Sequence, residues 1–275
     1  MNTADSLHLD VEKAIKAKAP EAGKKIPGFV YRFLSKLVCE EKMNYILDHY
    51  GHLQGVDFAA GVLDELNVRV KLVGEENIPS DGKFIFASNH PLGGLDGMAL
   101  IQVFGEKYGK KVRFIVNDIL MHISPLRNVF VPINKHGAQD KEKANLLNEA
   151  FESENQVLIF PAGLCSRLQN NQIRDLEWKK AVISKSIEFQ RDIIPVFFEG
   201  TNSKFFYRLA YIRKKLGIKA NIEMILLPSE MFKNSDKTFA VRIGKPIPWQ
   251  TFDKSRSQRQ WAEYLKTKVY ELQQR

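Results

Sequence analysis

Apolar positions along the chain follow two regimes. Up to about residue 67 they recur at helical spacing among basic and acidic residues. Phe29, Phe33, Leu37 and Ile46 repeat through a stretch whose other positions hold Arg32, Lys36, Glu40 and Glu41, which predicts one amphipathic helix over 29–49. Pro20, Pro27 and Gly28 punctuate the chain before it. From Val68 onward, short β-branched and aromatic runs alternate with helical segments. Strands are predicted over 68–73, 83–87, 112–116, 129–133, 157–160, 193–198, 222–227 and 239–243, and helices over 96–108, 140–152, 176–190, 202–215 and 257–272. This alternation predicts an α/β fold, a largely parallel mixed sheet flanked by helices with a helical N-terminal segment. The chain then divides into an N-terminal region, 1–67, and an α/β domain, 68–275. In such sheets ligands gather at the loops leaving the carboxyl ends of strands.

With 44% hydrophobic residues in 275, the chain can build a sizeable core, and its 17 glycines and 11 prolines are too few for a collagen-like or low-complexity protein. A formal charge of +9 favours anionic partners: nucleic acid, a phospholipid surface, a phosphorylated substrate or an acidic protein. Basic stretches such as Tyr211-Ile212-Arg213-Lys214-Lys215 are compatible with a noncatalytic basic module. Zinc-finger spacing, an RNA-recognition signature and basic-zipper heptads are all missing, so nucleic acid is not expected. The two cysteines, Cys39 and Cys165, have neither metal-site spacing nor the number for a disulfide framework, which predicts a reducing compartment and no metal. His49 and His52 sit close together with no third ligand placed near them. The first residues lack the apolar block of a signal peptide, and the longest apolar runs fall far short of the ~20 residues that span a bilayer. Any membrane role is then peripheral. The amphipathic stretch at 29–49 either packs on the rest of the protein or lies in a lipid interface, with Lys24, Lys25, Arg32 and Lys36 facing anionic head groups.

Two loops carry residues suited to catalysis. The first, Ser88-Asn89-His90-Pro91-Leu92-Gly93-Gly94-Leu95-Asp96-Gly97, joins a predicted strand to a predicted helix. If the Gly93-Gly94 hinge folds Asp96 back onto one imidazole nitrogen of His90, the other nitrogen stays basic and can take a proton from a substrate hydroxyl. Backbone N–H groups at Gly93, Gly94 and the helix start can face an anion. The plainer alternative is that Asp96 caps its helix and His90 packs beside it. The second loop, Phe160-Pro161-Ala162-Gly163-Leu164-Cys165-Ser166-Arg167, follows the strand VLIF. Pro161 and Gly163 shape a tight turn, and Arg167 offers either a fork of donors for an anion or an ordinary solvated charge. Asn117 and Asp118 follow another strand and share that end of the sheet in this scheme. The aromatic stretch Phe205, Phe206, Tyr207 and Tyr211 either floors an acyl groove or packs in the core.

The ordered blocks Asn-His-Pro-x-Gly-Gly-x-Asp-Gly, VPIN, FPAGLCSR and IIPVFFEG resemble the lysophospholipid acyltransferase family, which includes the 1-acylglycerol-phosphate acyltransferases. The fit is closest to its bacterial hemolysin-like branch, which holds O-acyltransferases of aminolipid synthesis, and it extends over about 68–247. The resemblance implies catalytic roles for His90 as base and Asp96 as its orienter. It implies acceptor-site roles for Gly163, Ser166 and Arg167, with Pro195 in the fourth block. It also implies an acyl carrier protein or acyl-CoA donor, a lysolipid acceptor, no cofactor beyond the thioester, and a peripheral place on the cytoplasmic side of the membrane against an anionic surface. Three departures from the family pattern stand out. Five residues, where the family has four, separate His90 from Asp96, and the hinge at Gly93-Gly94 can absorb the extra one. Ala162 replaces the usual Glu, which weakens a glycerol-phosphate acceptor. Lys135 stands where phosphate-binding relatives carry Arg, and is an anion contact or a solvated side chain. A rival chemistry makes Cys165 or Ser166 a nucleophile with His90 as its base, an acyl hydrolase or thioesterase, although the loop lacks a G-x-S-x-G elbow.

Overall fold

The computed structural model describes residues 8–133 and 141–274. The N-terminal helices are α1 (Val11–Lys18), α2 (Pro20–Lys24), α3 (Gly28–Leu37), α4 (Glu40–Tyr50) and α5 (Val56–Glu65). Asp10 caps α1 by accepting the Lys13 N–H at 2.8 Å. The single helix predicted over 29–49 is in fact two. Cys39 takes a left-handed φ of 53°, which ends α3, and Glu40 then turns its carboxylate onto the Ser35 hydroxyl at 2.6 Å. The break lets α4 fold back so that Ile46 reaches the core.

The α/β part continues with β1 (Arg69–Val73), β2 (Phe84–Ser88), α6 (Leu95–Lys107), β3 (Val112–Asn117), β4 (Phe130–Ile133), α7 (Lys141–Glu152) and β5 (Gln156–Ile159). There follow β6 (Arg167–Gln169), β7 (Gln172–Arg174), α8 (Ala181–Glu188), β8 (Asp192–Phe198), α9 (Lys204–Lys215), α10 (Leu227–Phe232), β9 (Thr238–Ile243) and α11 (Gln258–Glu271). Seven strands form one mixed sheet in the order β1-β9-β8-β2-β5-β3-β4. The block from β8 to β4 is parallel throughout, and β9 joins it antiparallel to β8, bringing β1 with it. The α/β architecture read from the pattern is borne out.

Two expectations change. Residues 222–227 are not a strand: a 3-10 turn at Ile222–Leu226 runs straight into α10. Its buried positions are Glu223 and Leu226, three apart, while Ile222 and Ile225 stay exposed, so the run IEMIL has a helical face despite its β-like composition. The hairpin β6–β7 was not predicted. Its turn is Asn170-Asn171, both at positive φ (47° and 61°), the conformation a two-residue hairpin turn demands and asparagine tolerates.

Alternation along the strands divides the core between the two faces of the sheet. Phe86, Phe114, Ile194, Val196 and Phe198 pack with α5 and α6 on one side. Ile85, Ala87, Val157, Ile193 and Phe197 meet α8 and α11 on the other, where Trp261, Leu265 and Val269 line the inner stripe of α11. The sheet is thus covered on both faces, as parallel strands require. Arg191 lies buried with its guanidinium on the main-chain carbonyls of Phe151, Ser153 and Asn155, and burial pulls its pKa down to about 10.

Helices α5 and α6 approach closely at Gly105, where an added Cβ would sit 2.4 Å from Val56 Cγ2. Gly105→Ala gains about 1 kcal/mol of helix propensity but overpacks this contact at about 1–3 kcal/mol. A net loss in urea denaturation is expected, reversed when Val56→Ala is added. A stabilised single variant would mean that the helices separate without strain.

Candidate active site

Strands β2 and β5 are parallel neighbours, with Ala87 opposite Ile159, so the two loops that follow them leave the sheet side by side. Asn89 extends the ladder after β2. Its side-chain amide donates to the Phe198 carbonyl at 2.9 Å and its oxygen accepts the Phe198 N–H at 2.7 Å. His90 is thereby delivered just beyond the carboxyl end of β2, where its ring stacks on Phe160 of the second loop with centroids 3.8 Å apart.

Asp96 lies wholly out of solvent in the first turn of α6, with Oδ2 2.9 Å from His90 Nδ1 and 2.9 Å from the Leu92 N–H, which donates to it. Gly93 closes the longer loop at a φ of 93°, where a side chain would be strained and a Cβ would lie 2.7 Å from Leu227 Cδ2. The other ring nitrogen, Nε2, makes no hydrogen bond among the described residues, and the His90 side chain is 12% exposed. A histidine held through Nδ1 and open at Nε2 has the geometry of an oriented base. Gly94 at the helix start has no side-chain cap, and among the described residues the Gly94, Leu95 and Asp96 N–H groups have no partner, whereas the Gly97 N–H is taken by Asp96 Oδ1 at 3.0 Å and the Gly163 N–H is spent on the Phe160 carbonyl at 2.9 Å.

The second loop is stitched to the first through Ser166. Its N–H donates to the His90 carbonyl at 2.7 Å and its hydroxyl to Asp175 Oδ1 at 2.6 Å. Sequence reasoning missed Asp175. This buried carboxylate also accepts the His90 N–H at 3.2 Å and the Trp178 indole N–H at 2.9 Å. Burial pushes its carboxyl above the usual range, opposed by the bonds from Ser166 and Trp178. The residues before α8, read as helix from 176, instead run in non-helical conformation and place this group.

Arg167 does not hold out a free fork. Its Nη2 lies 2.7 Å from Glu223 Oε1, its Nε donates to the same oxygen at 3.2 Å, and Nη1 donates to the Cys165 carbonyl at 2.6 Å. Glu223 is fully buried and also pairs with Arg213, whose Nε is 2.8 Å from Oε2 at an angle too bent for a hydrogen bond. Arg167 so ties the second loop to the 222–226 turn. Cys165 is sealed beneath Phe206, Tyr207 and Leu226, and burial pushes its thiol up to about 11 against the pull of Arg167. The aromatic stretch divides: Phe206 and Tyr207 are core, while Phe205 and Tyr211 are exposed. Pro195 lies in β8 opposite Ala87. Asp118 pairs with Lys143 at 3.0 Å. Lys135 lies outside the described residues. Among the described residues, no group of three or more His, Cys, Asp or Glu side chains is placed to hold a metal ion.

The chain matches the family model described as Acyltransferase over residues 13–275. It is 52% identical over 271 residues to the lyso-glycine lipid O-acyltransferase of Bacteroides thetaiotaomicron, covering 98% of this chain and 100% of that protein. It is 48% identical over 271 residues to the protein of the same description from Phocaeicola vulgatus, covering 98% and 97%. Among solved structures, the 1-acyl-sn-glycerophosphate acyltransferase of Thermotoga maritima superposes with a TM-score of 0.46 at 18% identity, over 89% of this chain and 93% of that chain.

Two outcomes follow from the packing around Arg167 and Cys165. Glu223→Ala strands buried guanidinium groups and is expected to cost about 3–5 kcal/mol in denaturant unfolding, whereas a loss under 1 kcal/mol would mean solvent replaces the pair. Titration with an aromatic disulfide reagent at neutral pH is expected to modify Cys39 quickly and Cys165 only after unfolding. Rapid labelling of Cys165 in the native protein would contradict its burial.

Proposed function

The chain belongs to the acyltransferase family, and from that premise we propose that it acylates a lyso-glycine lipid with His90 as the general base. Its activity is O-acyl transfer to a lysolipid, as the curated relatives' descriptions and their near-complete coverage support. The observation that carries the mechanism is the 2.9 Å contact between His90 Nδ1 and the buried Asp96. With Nδ1–H committed to the carboxylate, Nε2 presents its lone pair to the acceptor hydroxyl. As the proton passes to Nε2, the hydroxyl oxygen attacks the thioester carbonyl, and the imidazolium that forms is balanced by Asp96. The carbon–sulfur bond then breaks, and the leaving thiolate recovers the proton from Nε2. No covalent enzyme intermediate is needed.

The oxyanion requires donors already in place. The N–H groups of Gly93, Gly94 and Leu95 suit this role better than Gly97 and Gly163, whose N–H groups are already bonded. The acyl donor is acyl carrier protein or acyl-CoA, since the first is acidic and the second phosphorylated, and the chain carries a charge of +9. Ala162 in place of the family's Glu fits an acceptor other than glycerol phosphate. Ser166 contributes by holding the loops together, because its hydroxyl bonds Asp175 and the His90 main chain and leaves the imidazole free. That arrangement, with Cys165 buried, also disfavours the acyl-enzyme alternative.

Among the described residues no helix is long and apolar enough to cross a membrane. Phe29 and Phe33 on α3 are 65% and 62% exposed beside Arg32 and Lys36, which supports docking of this helix on an anionic lipid surface. With labelled acyl carrier protein or acyl-CoA, product is expected on lyso-glycine lipid in preference to lysophosphatidic acid. His90→Ala should lower kcat by about 10²–10⁴-fold and Asp96→Asn by up to about 10⁴-fold, and His90→Ala, which takes a donor from the buried Asp96, should also lose about 1–3 kcal/mol of stability while remaining folded. A fully active His90→Ala would remove the base.

A further inference from the structure

The segment after the site loops has a distribution of charge that catalysis does not require. From Lys204 to Ile225 the one acidic residue is Glu223, and it is fully buried between Arg167 and Arg213. Everything charged that this segment shows to solvent is therefore cationic: Lys204, Arg208, Lys214, Lys215 and Lys219. Among these cations stand large apolar side chains that are well exposed. Leu216 is 68% exposed and Ile218 41%, on either side of Gly217, whose φ of 69° makes the turn that ends α9. Tyr211, Ile212, Ile222 and Ile225 continue the exposed apolar surface along both arms of this turn.

The same segment is rigidly coupled to the site. Phe206 and Tyr207 on the inner side of α9 pack with Cys165 and Leu226, and Leu37 of α3 packs on that cluster. Leu227, next in the chain, closes on Gly93. The tip is consequently a projection from the wall of the catalytic loops and not a loose appendage.

We propose that the α9–turn tip, Lys214 to Ile225, is a second membrane-docking surface that inserts Leu216 and Ile218 among the lipids while its lysines contact anionic head groups. A purely electrostatic partner, such as an acidic carrier protein, would leave Leu216 and Ile218 without a function. A bilayer uses both kinds of side chain at once, the cations at the phosphate level and the apolar groups below it. The inference rests on reading the chain as a peripheral membrane enzyme, but the binding it describes is measured without turnover. It can thus fail while the acyl-transfer reading stands, and the reverse.

The full chain is tested by flotation with phosphatidylcholine vesicles, with and without phosphatidylglycerol, at low and high salt. Lys214→Gln/Lys215→Gln/Lys219→Gln is expected to reduce binding to the anionic vesicles by on the order of tenfold or more. Leu216→Ser/Ile218→Ser should reduce it by about three- to tenfold with less dependence on salt. All five positions are exposed, so melting temperatures should hold. In Leu216→Trp, indole emission should shift to the blue on anionic vesicles, which adsorption by charge alone does not produce. The charge-matched control is Lys111→Gln/Lys245→Gln/Lys254→Gln, exposed positions elsewhere on the molecule. An equal loss in that control would reduce the effect to net charge and overturn the proposal. So would unchanged flotation of the tip variants, or a tip whose loss raises KM for acyl carrier protein and leaves vesicle binding intact.

Discussion

Asp96 has lost all contact with water, and a carboxylate in that position is tolerated only where donors replace its hydration shell. The donors are the His90 imidazole and the Leu92 N–H on one oxygen, both within the loop that Asp96 terminates, and the Gly97 N–H on the other. The cost of leaving this group unpaired therefore dictates the loop's path and the ring's orientation together. Asp175 repeats the arrangement from below, as a second buried carboxylate that accepts the His90 main-chain N–H while Ser166 and Trp178 complete its shell. His90 is held by its side chain from one acid and by its backbone from another. A rotation of the ring would strand one carboxylate, and a shift of the loop would strand the other.

The sheet makes that double hold possible. Because β2 and β5 run parallel and adjacent, their following loops emerge together at the carboxyl ends, and Phe160 becomes a platform for the His90 ring without any long connection. The Asn89 amide locks the same end of β2 to β8. A further buried ionic group, Arg167 with Glu223 and Arg213, extends the rigid region from the second loop to the 222–226 turn. Buried pairs of this kind add little net stability but resist rearrangement, since breaking one leaves an uncompensated charge. The consequence is a chain of three buried acids, each fixing one element against the catalytic loops.

Legibility from the sequence tracked how local each feature was. His90 and Asp96 lie within one ten-residue loop, and their partnership could be read from residue type and spacing. Asp175 acts on His90 across 85 positions, and a single acid in a polar stretch carries no mark of that contact. Arg167 was open to reading as an anion-binding fork because nothing near it in the chain announces Glu223, 56 positions on. The strands were visible as short β-branched and aromatic runs, because a sheet covered on both faces buries nearly every position of its central strands. The run at 222–227 misled because its apolar residues include two that face outward, which composition cannot distinguish from a buried strand. The break at Cys39 was hidden for a different reason. A left-handed cysteine has no preference to betray it, and the tie from Glu40 to Ser35 became visible only in three dimensions.

A thioester beside a general base faces hydrolysis as its competing reaction, so an acyltransferase gains from a base that water reaches poorly. Here the ring is largely covered, with Phe160 against one face and Asp96 behind it. Leu37 of α3 and Phe206 of α9 pack in the cluster that backs the second loop, and the same two helices carry exposed apolar side chains, Phe29 and Phe33 on the first and Tyr211 and Ile212 on the second. On the proposed reading, an apolar surface that holds the enzyme against a bilayer also lies on the elements that cover the base. This gives one physical reason why apolar residues that contribute nothing to the core stand beside the site loops.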